Sequence, residues 1–142
     1  MTEMSIFPTA LVWSILALPL LHYIADFELQ TNWMAINKSK NLNALMIHVL
    51  IYSAIFAAVF GPVFGLITLL LHFFTDLVTS RWSRNKFPFV PNPERPKVLF
   101  DRDGQGKRSR HRFFCVIGFD QMVHAYSLVA TAVWLNAKPW WM

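Results

Sequence analysis

Four runs of mostly apolar residues dominate this sequence, each close to the ~20 residues that a helix needs to cross the hydrocarbon of a bilayer. They cover roughly residues 6–27, 42–60, 63–80 and 113–135 of the 142. Backbone polar groups in hydrocarbon must be satisfied within the segment, so the expected fold is all-α: an integral membrane four-helix bundle in one domain. Only 15% of the residues are charged, against ~25% in a soluble domain. Met1 to Ser5 lacks Lys and Arg, and no small-x-small cleavage pattern precedes His22, so the first run is expected to be retained. Pro19 should kink it, and Gly61-Pro62 should turn the second run tightly into the third.

The charges are unevenly placed. Ten of the thirteen Lys and Arg lie between Arg81 and Arg112, Lys38 and Lys40 follow the first run, and Lys138 stands apart. With four spans the two basic stretches share one side, which the positive-inside rule makes cytoplasmic. Both termini and the Gly61-Pro62 turn then face the opposite side, with Trp140 and Trp141 as an interfacial anchor. Residues 81–112 read as a basic cytoplasmic loop, rich in proline and holding a DRDGQG turn. Its Phe87, Phe89, Val90, Val98, Leu99 and Phe100 can lie on the membrane while the basic residues meet anionic lipid head groups; the plainer alternative is a connector that only sets topology.

Several chemistries are excluded. The basic run from Lys107 to Arg112 directly precedes a span, so topology or lipid explains it better than nucleic acid does. The segment opening at Asp101 has Arg112 where a calcium loop needs Glu. The lone Cys115 permits neither an internal disulfide nor a zinc ribbon, and no nucleophile elbow is present.

Ionisable groups inside a membrane are costly, so those that occur usually face the bundle interior and mark function. The spans carry seven: His22, Asp26, His48, His72, Asp76, Asp120 and His124. Three spans hold a His and an Asp four residues apart, on one helical face, where they can chelate one cation or orient each other. Counting residues from the cytoplasmic boundary puts all seven in one layer in the inner half of the bundle. Imidazoles and carboxylates without thiolates suit a divalent metal, zinc first, with manganese or iron as alternatives, and the supply of ligands is enough for two ions. A layer of interhelical hydrogen bonds without metal is the competing reading.

The stretch His22-Tyr-Ile-Ala-Asp26-Phe-Glu-Leu-Gln30-Thr31, then Trp33-Met-Ala, Lys38, His48, His72-Phe-Phe-Thr-Asp76 and Asp120-Gln121 with His124 resembles a family of small bacterial and phage membrane proteins of unknown function. The resemblance implies a multi-pass protein of the bacterial inner membrane and supplies no activity. More distantly, the chain is similar to membrane-bound metal-dependent hydrolases and to helical zinc phospholipases C and P1-type nucleases. Their His-x-x-x-Asp or His-x-x-x-Glu pairs match His22/Asp26 and His72/Asp76, whereas Asp120/His124 has the reverse order.

With a metal present, the simplest chemistry is hydrolysis, with Asp26 or Asp120 taking the proton. A site beside a basic loop suits a phospholipid or another membrane phosphate ester. Gln30, Asn37, Lys38 and Gln121 are the expected substrate contacts. Proton or divalent-metal conduction, possible in a homo-oligomer, and a non-catalytic membrane protein whose polar layer only specifies packing are the alternatives.

Overall fold

The computed structural model describes residues 9–86 and 105–141. Among them are five α-helices and no strand: α1 (Thr9–Tyr23), α2 (Asn32–Asn37), α3 (Leu42–Phe60), α4 (Pro62–Lys86) and α5 (Gln105–Leu135), with a π-helical turn, Ile24–Glu28, continuing α1. Four stretches are long and apolar enough to cross a membrane: Leu11–Glu28, Leu42–Phe60, Pro62–Trp82 and Phe114–Leu135. They match the four expected runs to within a few residues, apart from the first run's start at residue 6, which lies outside the described part.

Local chemistry explains the boundaries. Asn41 caps α3, its side chain accepting from the Asn43 N–H at 2.8 Å, and Thr31 caps α2 through the Met34 N–H at 3.3 Å. Gly61, at φ +95°, ends α3 in a conformation that side chains resist, and Pro62 opens α4 where its missing N–H has no helical partner to lose. Immediately after this turn α3 and α4 run very close. A Cβ added to Gly65 would lie 2.4 Å from the Ala57 Cβ, so glycine sets the separation of the two helices. Past α5, Asn136 takes a left-handed conformation, the Ala137 N–H closes on Ala132 O, and the Trp140 N–H reaches Val59 O at 3.2 Å, folding the C-terminal segment over the turn.

Both ends of the stretch expected as a loop, 81–112, are helical. α4 continues to Lys86 and α5 starts at Gln105. Hydrophobicity marks where a helix leaves hydrocarbon and not where its backbone hydrogen bonds stop, so both helices outrun their apolar runs. The remainder, residues 87–104 with the aromatic members assigned to the membrane surface, lies outside the described residues.

Side chains are distributed inside out. On α4, Phe74 and Val78 are 60% and 64% exposed, while His72 and Asp76 on the opposite face are 1% exposed. Leu16, Leu20, Leu66, Tyr126 and Trp134 also face outward. Such a surface is unfavourable in water and natural in lipid. The large buried rings and leucines, Tyr52, Phe56, Phe64, Leu18 and Leu128, with Ala132, extend toward the Gly61 turn, while Ala25, Met34, Ala44, Leu45 and Val49 are buried in the other half. The buried histidines and aspartates occupy the half nearer α2.

Candidate metal centre

Each element brings one face to the same place. His72 and Asp76 are one turn apart on α4, His48 comes from α3, His124 from α5, and His22 and Asp26 from the end of α1 and the π turn. All six are buried. The π turn, held by Leu29 N–H to Ile24 O at 3.1 Å, rotates the chain so that Asp26 points inward; such turns recur at functional sites.

The central atom is Nε2 of His48. Around it lie Asp26 Oδ1 at 3.0 Å, His72 Nε2 at 3.1 Å, Asp76 Oδ2 at 3.4 Å and Lys38 Nζ at 3.5 Å. One imidazole nitrogen offers a single proton or a single lone pair, so it cannot satisfy all four. Correspondingly, buried Asp26 Oδ1 has no hydrogen-bond partner among the described residues, nor have His124 Nε2 and His72 Nδ1. A cation between Asp26 Oδ1, His48 Nε2 and His72 Nε2 removes the conflict among those three, because each can then turn a lone pair toward it.

The spacing fits an ion. Asp26 Oδ1, His48 Nε2 and His72 Nε2 form a triangle with edges of 3.0, 3.1 and 3.6 Å. A tetrahedral ion with bonds of ~2.0–2.1 Å has ligand-to-ligand edges of about 3.3 Å, so the triangle can make one face of such a site, with a fourth position that none of the three fills; Asp76 Oδ2 lies 3.4 Å from His48 Nε2 and 3.6 Å from His72 Nε2. A second group, His72, Asp76 and His124, also has ligand atoms close enough to hold an ion. Here His72 Nε2 is 3.6 Å from Asp76 Oδ2, and His124 Nε2 is 3.9 Å from Asp76 Oδ1. His72 belongs to both groups, and its Nε2 is the atom that faces both carboxylates. The two groups therefore share this imidazole, so its loss should affect both.

Lys38, just beyond α2, reaches into the cluster and pairs with Asp76 Oδ2 at 2.9 Å. Burial pulls its pKa down, yet Asp76 and Asp26 outweigh that and hold the ammonium above the usual lysine range. The sequence placed Lys38 as a substrate contact at the site's edge; the structure puts its charge against a candidate ligand. Gln30, likewise expected at the edge, meets the outer nitrogen of His48, Nδ1, at 3.4 Å. Asn37 is turned away, donating to Trp33 O of its own helix.

Two expected ligands stand outside both groups. His22 has its two nitrogens occupied, Nδ1 by the Tyr52 hydroxyl and Nε2 by Gln121 Oε1, each at 2.7 Å. Asp120 accepts from Thr79 Oγ1 at 2.6 Å and from Gln121 Nε2 at 3.3 Å, and lies 3.6 Å from His124 Nδ1. Helical spacing identifies the face that these residues share with the ligands, but it cannot distinguish a ligand from a partner of a ligand. Tyr52 and Thr79 were not anticipated. Tyr52 stacks on His72 with ring centroids 3.8 Å apart, and its position one turn past His48 is the sequence signal that points to it.

Helices from four spans thus gather buried His and Asp groups that can hold a metal, with a lysine beside them at the end where the chain leaves the apolar layer. No curated protein and no solved structure matches the chain. A family model described as "Protein of unknown function (DUF3307)" matches residues 15–141, which takes in most of the first apolar helix, the other three and every residue of the cluster, and the chain belongs to that family.

Proposed function

We propose that this chain is a membrane-embedded, metal-dependent hydrolase of a phosphate ester or phosphodiester belonging to the membrane, with phospholipid as the substrate class. The observation that carries the reading is the three-ligand face of Asp26, His48 and His72 with its open fourth position and the Lys38 ammonium alongside. Structural metal sites are closed by four protein ligands, whereas catalytic ones keep a position free. Imidazole with carboxylate favours zinc, followed by manganese or iron. When bound, such an ion supplies a Lewis acid and a water acidified toward neutral pH.

The residues divide the remaining work. Lys38 gives up Asp76 for a phosphate, a charge-assisted pairing that places the head group over the open position. Asp120, outside both ligand groups and less buried than Asp26, is the carboxylate that accepts a proton; Thr79 and Gln121 hold it in place. In the other direction the buried rings of Tyr52, Phe56 and Phe64 pack beyond the cluster, with centroid separations of 5.0 Å and 6.0 Å between successive rings. A dry aromatic stack is a poor route for protons or ions, which favours a one-ended pocket over a conducting path. In keeping with this, the basic side of the bundle is the cytoplasmic one, in a bacterial inner membrane.

The test is reconstitution into vesicles of anionic and zwitterionic phospholipid with zinc, manganese or iron(II) supplied singly, while released phosphate-bearing head group or inorganic phosphate is followed. Metal-dependent release that His72→Ala abolishes supports the reading. Stoichiometric metal without any release excludes the hydrolase and leaves a binding protein.

A further inference from the structure

Beyond the ligands, a chain of hydrogen bonds runs through the bundle, and with His22 as the neutral imidazole it has one consistent direction. Gln121 Nε2 contacts two carboxylate oxygens, Asp26 Oδ2 at 3.1 Å and Asp120 Oδ2 at 3.3 Å. Carboxylates only accept, so the amide nitrogen must face them and the amide oxygen must face His22. His22 Nε2 therefore carries the proton that it donates to Gln121 Oε1 at 2.7 Å. Its Nδ1 is then left as an acceptor for the Tyr52 hydroxyl, also at 2.7 Å. Both nitrogens of His22 are spent, which removes it as a ligand without any appeal to distance.

We infer that Tyr52, His22 and Gln121 form a positioning relay whose purpose is to aim Asp26 at the metal. The relay ends on one oxygen of Asp26, Oδ2, and leaves the other, Oδ1, unpartnered and 3.0 Å and 3.6 Å from the nitrogens of His48 and His72. A carboxylate pinned through one oxygen presents the other as a single-point ligand, and the fixed polarity of the relay prevents Gln121 from turning its oxygen toward Asp26. Tyr52 adds rigidity, since the ring that supplies the first hydrogen bond also stacks on the ligand His72. The same amide donates to Asp120, so one glutamine ties the ligand Asp26 to the carboxylate assigned as proton acceptor. The sequence resemblance spans these residues, yet their spacing alone makes His22 look like a ligand and Gln121 like a substrate contact.

The relay rests on the metal reading above, and cobalt(II) titration of the purified protein in detergent separates the two. Cobalt reports affinity and, through its visible absorption, ligand geometry. His22→Phe and Gln121→Met should each weaken cobalt binding about 10–100-fold, and shift the visible bands while helix content is retained. The double variant should be no weaker than the worse single one, because both substitutions cut one chain. Tyr52→Phe, which keeps the ring and deletes only the hydroxyl, should weaken binding less than either and still shift the bands. Binding abolished by His22→Phe as fully as by His72→Ala would make His22 a ligand and overturn the relay. Unchanged affinity in Gln121→Met, or effects that multiply in the double variant, would overturn it as well. A wild-type protein that binds no cobalt would refute the metal reading and the relay together.

Discussion

The two halves of the bundle are built from the same four spans by opposite rules. Toward the Gly61 turn, Phe56, Phe60 and Phe64 pack ring on ring at 4.8–6.5 Å, with Leu18, Leu128 and Ala132 filling between them. The described polar side chains buried there, Ser14, Ser53, Thr68 and Thr131, are all hydroxyls. Toward α2, buried imidazoles and carboxylates crowd together at 3.0–3.9 Å, and several of their atoms lack hydrogen-bond partners. α3 contributes to both, with His48 two turns before Phe56. Two neutral hydroxyls of the aromatic half, Ser53 and Thr68, also lack partners among the described residues, but in the α2 half the unpartnered atoms belong to ionisable groups, Asp26, His72 and His124, whose lone pairs can bind a cation. The aromatic half supplies rigidity and the polar half spends it.

That contrast can be broken by substitutions sorted according to the half they touch. His72→Ala removes the imidazole shared by both ligand groups and should abolish metal binding with insertion and helix content unchanged, as checked by elemental analysis and circular dichroism. Phe56→Ala should do the reverse. The cavity it opens is expected to destabilise the bundle by roughly 3 kcal/mol, the low end for such a truncation because lipid and not water is the competing solvent, with metal affinity altered less than ~threefold; unfolding in mixed micelles measures the first and cobalt titration the second. Gly65→Ala should also act through packing, since its Cβ meets Ala57 at 2.4 Å. It should cost about 1–3 kcal/mol by the same unfolding assay. Equal losses of metal in Phe56→Ala and His72→Ala would mean that the halves are not separable.

How much of this was legible follows from what a period can encode. Apolar run length placed the four spans, and the four-residue spacing of His72 and Asp76 placed them on one inward face, because both are properties of a single helix. Which atoms meet across helices is a property of four chains of side chains packed at once. For that reason His22 and Asp120 were indistinguishable from ligands, and the one-turn spacing from His48 marks the face of Tyr52 but not its hydrogen bond to His22. Lys38 was visible as a substrate contact at the site's edge but not as a partner of Asp76, since its arrival there depends on the turn that follows the π-helical segment. The π turn itself has no sequence signature.

Smaller effects concern Lys38. Lys38→Met should lower kcat/KM toward a phosphate ester by about tenfold or more through loss of a charge-assisted contact, while the metal content stays as in the wild type; vesicle assays at saturating metal separate the two. The Lys38–Asp76 pair also sets a pH expectation. Because the lysine pKa is raised above its ordinary 10.5, the pair's contribution to stability is fully present below that value and is lost only as pH rises through the higher folded value. Unfolding midpoints in micelles should accordingly show no Lys38-dependent decline between pH 7 and about pH 10, and a wild-type advantage over Lys38→Met that vanishes within that range would contradict the pairing.

The most direct measurement is the metal-to-chain ratio of the wild-type protein, purified without chelator beside His72→Ala and analysed for all first-row divalent metals. Because both ligand groups share His72, the account predicts at least about one ion per wild-type chain and none in the variant. A wild-type protein that retains no metal, even after incubation with zinc, manganese or iron(II), would contradict the account.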